Sequence, residues 1–445
     1  MNLFLLLLLN LALFPFLLPL EPVVGFSFIL TSIAASLLFI YTRKRFSVTN
    51  VSILIYYLFF FIVAPLVQLN NRGDFRLINT VPYDSTHIVV ANILIALFLL
   101  IYILARMYFD KKKNYYVNSR VNFDSVQSVL STPKLIFFSL LIVLITYDYW
   151  WEQVSLFAFS ILSTESLESG MLSLIFEKFL FSMPIGFLIY IIVNPSIGNR
   201  KLLFMFALFL VVAFKNPIIE HRNGFGVAYL MISWVMLRHY INTSNRLLGY
   251  MGLSFAVLFP LGELLSPHRF TDEKIDAYGL FFEVYNNVHF DSWANVVATI
   301  RFVSESGFTF GSQILSTMLF WVPRDLWLSK GVASSSLLAE YMIDQHSFWM
   351  TNISFPIVAE AYLDFSVLGV MLYAVLIAKL SSWLDNKFLF ASFPVALASL
   401  YFSFHYIFLA RGPLLSSLAY SLGSAMGIYI FCLVCRKRLP RAFPK

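Results

Sequence analysis

Two carboxylates in an otherwise apolar stretch have a spacing that suits chemistry. The stretch TNISFPIVAEAYLDFSVLGV, residues 351–370, contains Glu360 and Asp364. Residues four apart share one face of a helix, and a carboxylate in an apolar helix must face a cavity, a cation or both. Asn352 or Ser354 is expected to cap this helix, which would place Glu360 one to two turns inside it. Such a group can act as a general base toward a hydroxyl, and an internal ion pair is compatible with that role.

Basic residues accompany three short breaks in the apolar pattern. In FKNPIIEHRNGFG, residues 214–226, Arg222 lies just before a predicted helix N-terminus, where free N–H groups favour an anion. Lys215 and His221 lie close to it in the sequence. The alternative interpretation is an arginine that snorkels from a helix end.

The segment FWVPRDLWLSKG, residues 320–331, contains Arg324 between two interfacial tryptophans and Lys330 three residues after the second of them. An interfacial helix would place both cations at the level of lipid headgroups, although a peripheral helix on anionic lipid needs the same residue types. In FHYIFLARGPLL, residues 404–415, Arg411 occupies an Arg-Gly-Pro turn, and His405 precedes it by six residues. An outward turn does not require an arginine, which favours a functional role.

These residue types together suit one class of reaction. Several fixed arginines around an outward cavity match a diphosphate, and a carboxylate at the same level can accept a proton from a hydroxyl. The sequence therefore predicts a glycosyl or phosphoryl transferase that acts on a lipid-linked substrate. It contains no Asp-x-Asp pair and no His/Cys ligand spacing, so no metal or other cofactor is required, because arginine can neutralise a leaving diphosphate.

The elements that position these residues must be membrane helices. The chain has 445 residues, of which 59% are hydrophobic and only 12% are charged, whereas soluble proteins are about a quarter charged. The net charge of +7 does not indicate a nucleic-acid partner, because most basic residues fall in short loops. The cysteine pair Cys432 and Cys435 is attributed to packing.

Apolar runs of helical length predict twelve spans, at about 3–20, 23–41, 48–69, 88–108, 135–150, 174–193, 202–219, 224–240, 247–265, 352–378, 388–409 and 414–435. The first twenty residues lack a basic n-region and a cleavage site, so they are expected to be a membrane helix and not a secretory signal. Residues 1–445 are thus predicted to form a single integral membrane domain, an all-α polytopic bundle. A GxxxG pattern at Gly423 and Gly427 is compatible with internal packing or with association of copies.

The distribution of basic residues predicts the orientation. The clusters at 43–45, 111–113 and 436–438 all fall on one side if both termini are cytoplasmic, as the positive-inside rule requires. Residues 263–351 then form a large outer loop between the ninth and tenth spans. Two segments of that loop, FFEVYNNVHFDSWANVVATIRF and STMLFWVPRDLWL, are expected to be short amphipathic helices at the interface.

Taken in order, the motifs resemble those of the O-antigen polymerase family, the oligosaccharide repeat-unit polymerases of the flippase/polymerase-dependent pathway. The resemblance rests on EHRNGFG, then PRDLWLSK, then EAYLDFSVLG and finally the Arg-Gly turn at Arg411. These motifs cover about 60 residues. Leu328 and Gly331 stand where the family often has prolines, which weakens the match locally.

The resemblance implies a polymerase/ligase-like lipid-to-sugar glycosyltransferase fold with a periplasmic active site in the bacterial inner membrane. Members transfer a growing glycan from undecaprenyl diphosphate to the non-reducing end of a lipid-linked repeat unit. Partners would be that lipid-linked oligosaccharide, the bilayer, and a chain-length regulator and flippase of the same pathway. Carried over, the diphosphate would be bound by Arg222, Arg324 and Arg411 with help from Lys330.

In the same comparison Glu360 would be the base, and Tyr362 would contact sugar or orient Glu360. His221, His405 and Asp364 are rival bases. An O-antigen ligase would use the same donor and a similar set of cations. A flippase or other transporter is expected to carry charges deep within several spans, whereas here the unusual charges gather at one side.

Overall fold

A computed structural model describes residues 13, 15–70, 84–111, 130–147, 178–216, 222–258, 284–286 and 288–437 of the chain. Every named element in these ranges is a helix, and one isolated antiparallel bridge joins Leu130 to Arg436. Over its described part the protein is all-α, as the apolar runs predicted.

The helices are labelled in chain order as α1 Pro22–Arg43, α2 Val48–Asn70, α3 Ser85–Asp110, α4 Thr132–Ile145, α5 Leu180–Val193, α6 Arg200–Phe214, α7 Arg222–Leu237, α8 Ser244–Leu253, α9 Ser292–Ser306, α10 Ser312–Met318, α11 Ser334–His346, α12 Ile357–Phe390, α13 Phe393–Phe404, α14 Tyr406–Arg411 and α15 Leu414–Val434. The middle of α2, Tyr57–Val63, is π-helical, and a π-helical turn over Ser254–Leu258 continues α8. A 3₁₀ turn, Val288–Phe290, precedes α9.

Five helices, α1, α2, α3, α12 and α15, are long and apolar enough to cross a membrane. Shorter apolar helices of 10–17 residues include α4, α5 and α13. This composition is that of a helical membrane protein. The number of spans, predicted as twelve, stays a prediction.

Described helices lie where the apolar runs placed them. For example, α1 covers 22–43 against a predicted 23–41, and α3 covers 85–110 against 88–108. Most of the first predicted span lies outside the described residues. Two boundaries were wrong. α12 continues to Phe390, so Lys379 and Lys387 are helical and not in a loop, and the span predicted at 388–409 consists of α13 and α14.

α12 is broken near its start. Phe365 and Ser366 leave the helical region, and Ser366 has φ 58° and ψ −145°, a backbone conformation that L-residues seldom adopt. Gly369 follows the break because any Cβ there would overlap the carbonyl oxygen of Ala361. The short first segment, 357–364, therefore meets the longer second segment at an angle that the residues around the break must hold.

Beyond the break, α12 exposes an apolar stripe. Its members recur in pairs every four residues and are all at least 37% exposed: Val367, Leu368, Met371, Leu372, Val375 and Leu376. Exposed Lys379 and Trp383 come next on the same helix. Apolar exposure ended by a lysine and a tryptophan is typical of a lipid-facing surface that reaches an interface.

By its contacts the chain divides into two compact units. The first unit comprises Met1–Ser119, Ile241–Trp383 and Tyr406–Ala419, and the second comprises Arg120–Tyr240, Leu384–His405 and Tyr420–Lys445. Each is described by itself below, and the single membrane domain predicted for 1–445 remains a prediction.

Polar contacts inside the first unit connect α1, α3 and α9. Asn92 of α3 donates to Ser27 Oγ of α1 at 2.8 Å and accepts from the indole N–H of Trp293 at 2.9 Å. Residues 292–300 of α9 are all buried. The predicted helix is present, but its first nine residues are buried and their polar side chains pair inside the unit. Its position at the membrane interface stays a prediction.

A second polar cluster in the first unit lies at the C-terminal end of α3. Buried Asp110 pairs with Arg106 at 3.3 Å and accepts from Tyr41 at 2.8 Å and from Ser382 of α12 at 2.7 Å. Arg106 is itself only 2% exposed. The cluster thereby joins α3 to the C-terminal end of α1 and to the later part of α12.

In the second unit, the N-terminal turns of α5 pack closely against α15. A Cβ at Gly427 would overlap the backbone carbonyl of Phe179, and one at Gly423 would reach Lys178 Cβ at 3.6 Å. The GxxxG pattern therefore serves internal packing here. Cys432 lies against Gly186 of α5, and both cysteines are buried and free, in keeping with their predicted packing role.

Candidate functional site

Glu360 lies where three helices begin. It occupies the first turn of α12, nearer the helix start than predicted, and is 1% exposed. One carboxylate oxygen accepts from Ser334 Oγ at 2.7 Å, and the other accepts from the backbone N–H of Leu414 at 3.4 Å. Ser334 is the first residue of α11 and Leu414 the first of α15. The positive ends of three helix dipoles therefore favour an anion at this carboxylate.

Arg411 is the last residue of α14, three positions before Leu414. One guanidinium nitrogen lies 3.6 Å from Asp291 Oδ1, and the guanidinium carbon lies 5.7 Å from the centre of the Phe60 ring. About a quarter of the side chain is exposed (24%), whereas Asp291 is completely buried. Arg411 is therefore an accessible cation beside a buried acid.

The Arg-Gly-Pro turn connects these two groups. Gly412 donates its N–H to Phe408 O at 2.8 Å, which ends α14. A Cβ on Gly412 would overlap Ser417 Oγ, so a larger residue there would require the Ser417 side chain to move. The turn places Arg411 and the Leu414 N–H that Glu360 binds on one short piece of backbone.

Asp291 is held by contacts of its own. Its Oδ2 accepts from Asn295 Nδ2 at 3.0 Å and from the backbone N–H of Ser354 at 2.8 Å. Asn295 also donates to Ser354 O at 2.7 Å, and Ser292 Oγ lies 3.2 Å from Ser354 Oγ. Ser354 therefore anchors α9 and does not cap α12, contrary to the prediction.

Asp364, four residues after Glu360, is fully buried and bound to residues 309–314. It accepts from Thr309 Oγ1 at 2.6 Å, from the backbone N–H groups of Gln313 and Ile314 at 3.2 and 3.0 Å, and from the hydroxyl of Tyr373. The two backbone donors belong to the first turn of α10, so Asp364 caps that helix. Four hydrogen bonds favour a structural role over the base or substrate contact that we considered.

Arg324 and Lys330 lie in a loop of turns, not in the interfacial helix that we predicted for them. The helix α10 ends at Met318. Arg324 is exposed and donates to the carbonyls of Lys330 and Gly331, both at 3.1 Å. Lys330 is buried, and its Nζ donates to Phe320 O at 2.7 Å and Val322 O at 2.8 Å. Burial, and secondarily the charge of Arg324, lower the pKa of Lys330.

Both cations thus brace the loop that leads into α11, whose first residue contacts Glu360. Proline at 323 stops α10 from continuing, which explains why turns replace the predicted helix. The exposed Arg324 retains free surface for a ligand, whereas Lys330 is committed to the backbone.

Tyr362, half-buried, packs edge-on against Phe308 at 6.0 Å between ring centres, and its predicted contact with sugar stays a prediction.

The second unit brings together other predicted residues. The His405 ring and Ser421 Oγ form a hydrogen bond of 2.8 Å. Lys178 and Lys215 are both near enough to interact electrostatically with the ring. Lys215 is 1% exposed, and Phe214 beside it stacks on Phe181 at 4.8 Å. Arg222 begins α7, but its side chain and all of His221 lie outside the described residues.

Sequence reasoning missed three residues of the site in the first unit: Asp291, Asn295 and Ser334. A signal existed for the first two, since DSWAN places an acid and an amide four apart inside an apolar stretch. Ser334 had none, because SSS before an apolar run looks like an ordinary helix start.

Fold and site together define a helical membrane protein in which a buried carboxylate accepts a hydrogen bond from the turn that carries an accessible arginine. Comparison with protein-family models, with curated proteins and with solved structures finds no match for this chain. In the described ranges, no three His, Cys, Asp or Glu side chains lie close enough together to hold a metal ion.

Proposed function

We propose that this protein is a glycosyltransferase that polymerises lipid-linked oligosaccharide repeat units, such as those of O-antigen. The observation that carries the proposal is the placement of Glu360 against Leu414 N, on the turn that also carries Arg411. A base that contacts the turn carrying a cation suits a reaction in which a hydroxyl is deprotonated while a diphosphate departs.

In the proposed reaction, the hydroxyl oxygen at the non-reducing end of the incoming repeat unit bonds to the anomeric carbon of the growing glycan. The bond from that carbon to the diphosphate oxygen breaks, and its electron pair leaves with undecaprenyl diphosphate. Glu360 takes the hydroxyl proton. Arg411 and Arg324 neutralise the charge on the leaving diphosphate, and Arg222, at the start of α7, would contribute in the same way.

The position of Glu360 along α12 supports a one-sided active site. From Ser366, at the break, to Ser382 the second segment of α12 rises about 24 Å, and Glu360 lies beyond the break. That rise is most of the ~30 Å thickness of the hydrocarbon core. Ser382 binds Asp110, which is followed by the basic cluster 111–113 of the predicted cytoplasmic side. Glu360 would then face the periplasm.

The proposal includes twelve spans in the bacterial inner membrane with both termini cytoplasmic and residues 263–351 as the periplasmic loop. The partners would be undecaprenyl-diphosphate-linked oligosaccharide, the bilayer, and a chain-length regulator and flippase. No nucleic acid takes part. Neutralisation of the diphosphate by arginine would require no metal.

The test is a gel of surface lipopolysaccharide from a strain that lacks the gene. We expect core carrying a single repeat unit, with the ladder of longer chains lost. Bare core alone would instead place the defect in ligation or in flipping and would overturn the proposal.

Complementation then tests the residues. Arg324→Ala should fail to restore the ladder, whereas Arg301→Ala should restore it, because Arg301 is an outward arginine paired with Glu305 at 3.1 Å. Both proteins must be present at the wild-type level in the membrane. A normal ladder with Arg324→Ala would remove Arg324 from the proposed site.

A further inference from the structure

We propose that Asp291 is the counter-ion of Arg411 in the absence of substrate. When substrate binds, its diphosphate replaces Asp291 as the anionic partner of Arg411. The inference rests on the proposed function, because it assigns the diphosphate to Arg411. It adds a residue that controls how tightly this group is held and how readily it leaves.

Asp291 is the fixed member of the pair. It is completely buried, and its Oδ2 accepts two hydrogen bonds, from Asn295 Nδ2 at 3.0 Å and from Ser354 N at 2.8 Å. Asn295 is buried in α9 and also binds Ser354 O. The carboxylate therefore cannot follow the arginine if the arginine moves.

Arg411 is held to Asp291 by charge alone. The contact of 3.6 Å between Arg411 and Asp291 Oδ1 is too long for a hydrogen bond. Neither Asp291 Oδ1 nor Arg411 Nε has a hydrogen-bond partner among the described residues. The guanidinium rests on the Phe60 ring and is a quarter exposed, so it can turn toward an incoming group.

A diphosphate offers Arg411 what Asp291 does not. Its oxygens can take two parallel N–H bonds from one guanidinium, a geometry that the loose pair lacks. Binding would nevertheless leave Asp291 buried with its charge less compensated, which opposes tight binding. The expected result is a weakened hold on the diphosphate and faster release of the spent lipid carrier.

The experiment titrates geranylgeranyl diphosphate into the purified full-length protein in nanodiscs. Asp291→Asn keeps an acceptor oxygen for Asn295 and Ser354 but removes the charge. We expect its Kd to fall roughly fivefold or more. Asp344→Asn makes the same chemical change at an exposed site on α11 and should leave the Kd unchanged. Arg411→Ala should abolish binding with either residue at 291.

An unchanged or raised Kd in Asp291→Asn, at an unchanged melting temperature, would overturn the inference. Asp291→Glu is the second variant, needed if the first does not fold. Its longer side chain keeps the charge and approaches the guanidinium more closely, so its Kd should rise, and an equal or lower Kd would also overturn the inference. Absence of binding to the wild-type protein would remove diphosphate as the ligand of Arg411.

These outcomes separate the two proposals. If the deletion strain keeps its lipopolysaccharide ladder while Asp291→Asn binds the diphosphate more tightly, the counter-ion role of Asp291 is supported and the proposed polymerase function is contradicted. If the ladder is lost but the Kd does not change with the residue at 291, the polymerase function is supported and the counter-ion role is contradicted.

Discussion

Glu360 reaches the backbone of the turn that carries Arg411: its carboxylate accepts the N–H of Leu414 at 3.4 Å, three residues after the arginine. The same carboxylate accepts from Ser334 at the start of α11. A shift of the Arg-Gly-Pro turn would therefore move Arg411 and change one of the two hydrogen bonds that Glu360 accepts. This coupling is useful where proton removal and departure of an anion belong to one step.

Replacing Glu360 with glutamine tests its role as base. Glutamine keeps an acceptor for Leu414 or Ser334 but cannot take a proton. We expect the melting temperature to change little and the rate of glycan transfer to fall by about 10²–10⁴. Glu340→Gln, at an exposed position on α11, should transfer at the wild-type rate. An active Glu360→Gln protein would assign the base to another residue.

Asp364→Ala should act mainly on stability. It leaves the N–H groups of buried Gln313 and half-buried Ile314 without their acceptor, at a cost of about 1–3 kcal/mol for the first and less for the second. Limited proteolysis should then cut within residues 308–331 faster than in wild type. Asp325→Ala removes an exposed acid from the same loop and should not alter the cleavage rate. Equal protection of both variants would contradict the capping role.

Two glycines around the break in α12 should not tolerate a methyl group. Gly311 has φ 84° and its Cβ would overlap the Phe365 ring, while Gly369 faces the Ala361 carbonyl oxygen. We expect Gly311→Ala and Gly369→Ala to destabilise by about 1–3 kcal/mol. Phe365→Ala should relieve only the steric part of the first variant's cost, because φ 84° still strains alanine at position 311, and it should not relieve the second variant, whose clash is with backbone. Gly249→Ala, at an exposed position of α8 where a Cβ would meet no atom within 4 Å, should stabilise by a few tenths to 1 kcal/mol.

Glu305 gives a pH-dependent contact between α9 and α11. It accepts from Tyr341 at 2.8 Å and from Arg301 at 3.1 Å, and the Tyr341 hydrogen bond is the main cause that holds its pKa below the ordinary 4.5. A lowered pKa stabilises the fold above pH 4.5, and this contribution is lost as pH falls through the folded-state pKa.

The measurement for that contact is the melting temperature of wild type against Glu305→Gln. The gap should be constant from pH 7 down to about 5 and close below pH 4.5, and it should correspond to less than ~1 kcal/mol because the carboxylate is largely exposed. A gap that does not depend on pH would show that Tyr341 and Arg301 do not favour the ionised form.

The two glycines of the GxxxG pattern in α15 should differ in how much stability their replacement by alanine costs. Gly427→Ala meets the Phe179 carbonyl and should lower stability by about 1–3 kcal/mol, whereas Gly423→Ala makes an ordinary contact of 3.6 Å with Lys178 Cβ. Size-exclusion chromatography in detergent should give the same oligomeric state for both. A change of oligomer with Gly423→Ala would indicate that the pattern also joins copies.

Helix positions were predictable because a long apolar run with polar ends has few alternatives to a helix in lipid. The bounds of α1, α3 and α15 follow the runs within three residues. Glu360 and Arg411 stood out for a related reason, since a charge inside or between such runs is costly and must be compensated.

The break in α12 could not be predicted in this way. DFS contains neither glycine nor proline, and the break lies beside Asp364, whose partners Thr309 and α10 are far away in sequence. The burial of α9 was missed for the same kind of reason. Its polar residues pair with Asn92 and Ser354, which are distant in sequence, and no local sequence pattern indicates such partners.

The length of the exposed stripe on α12 also indicates the thickness of the bilayer that fits the protein. From Val367 to Trp383 the helix rises about 24 Å, and the break and the buried Glu360 lie just beyond its start. A thicker membrane would draw acyl chains over the break, and a thinner one would uncover apolar side chains, each at a modest cost per ångström of mismatch. The acyl-chain length of the host lipids is therefore expected to set how deeply Glu360 and Arg411 sit relative to the phosphate layer.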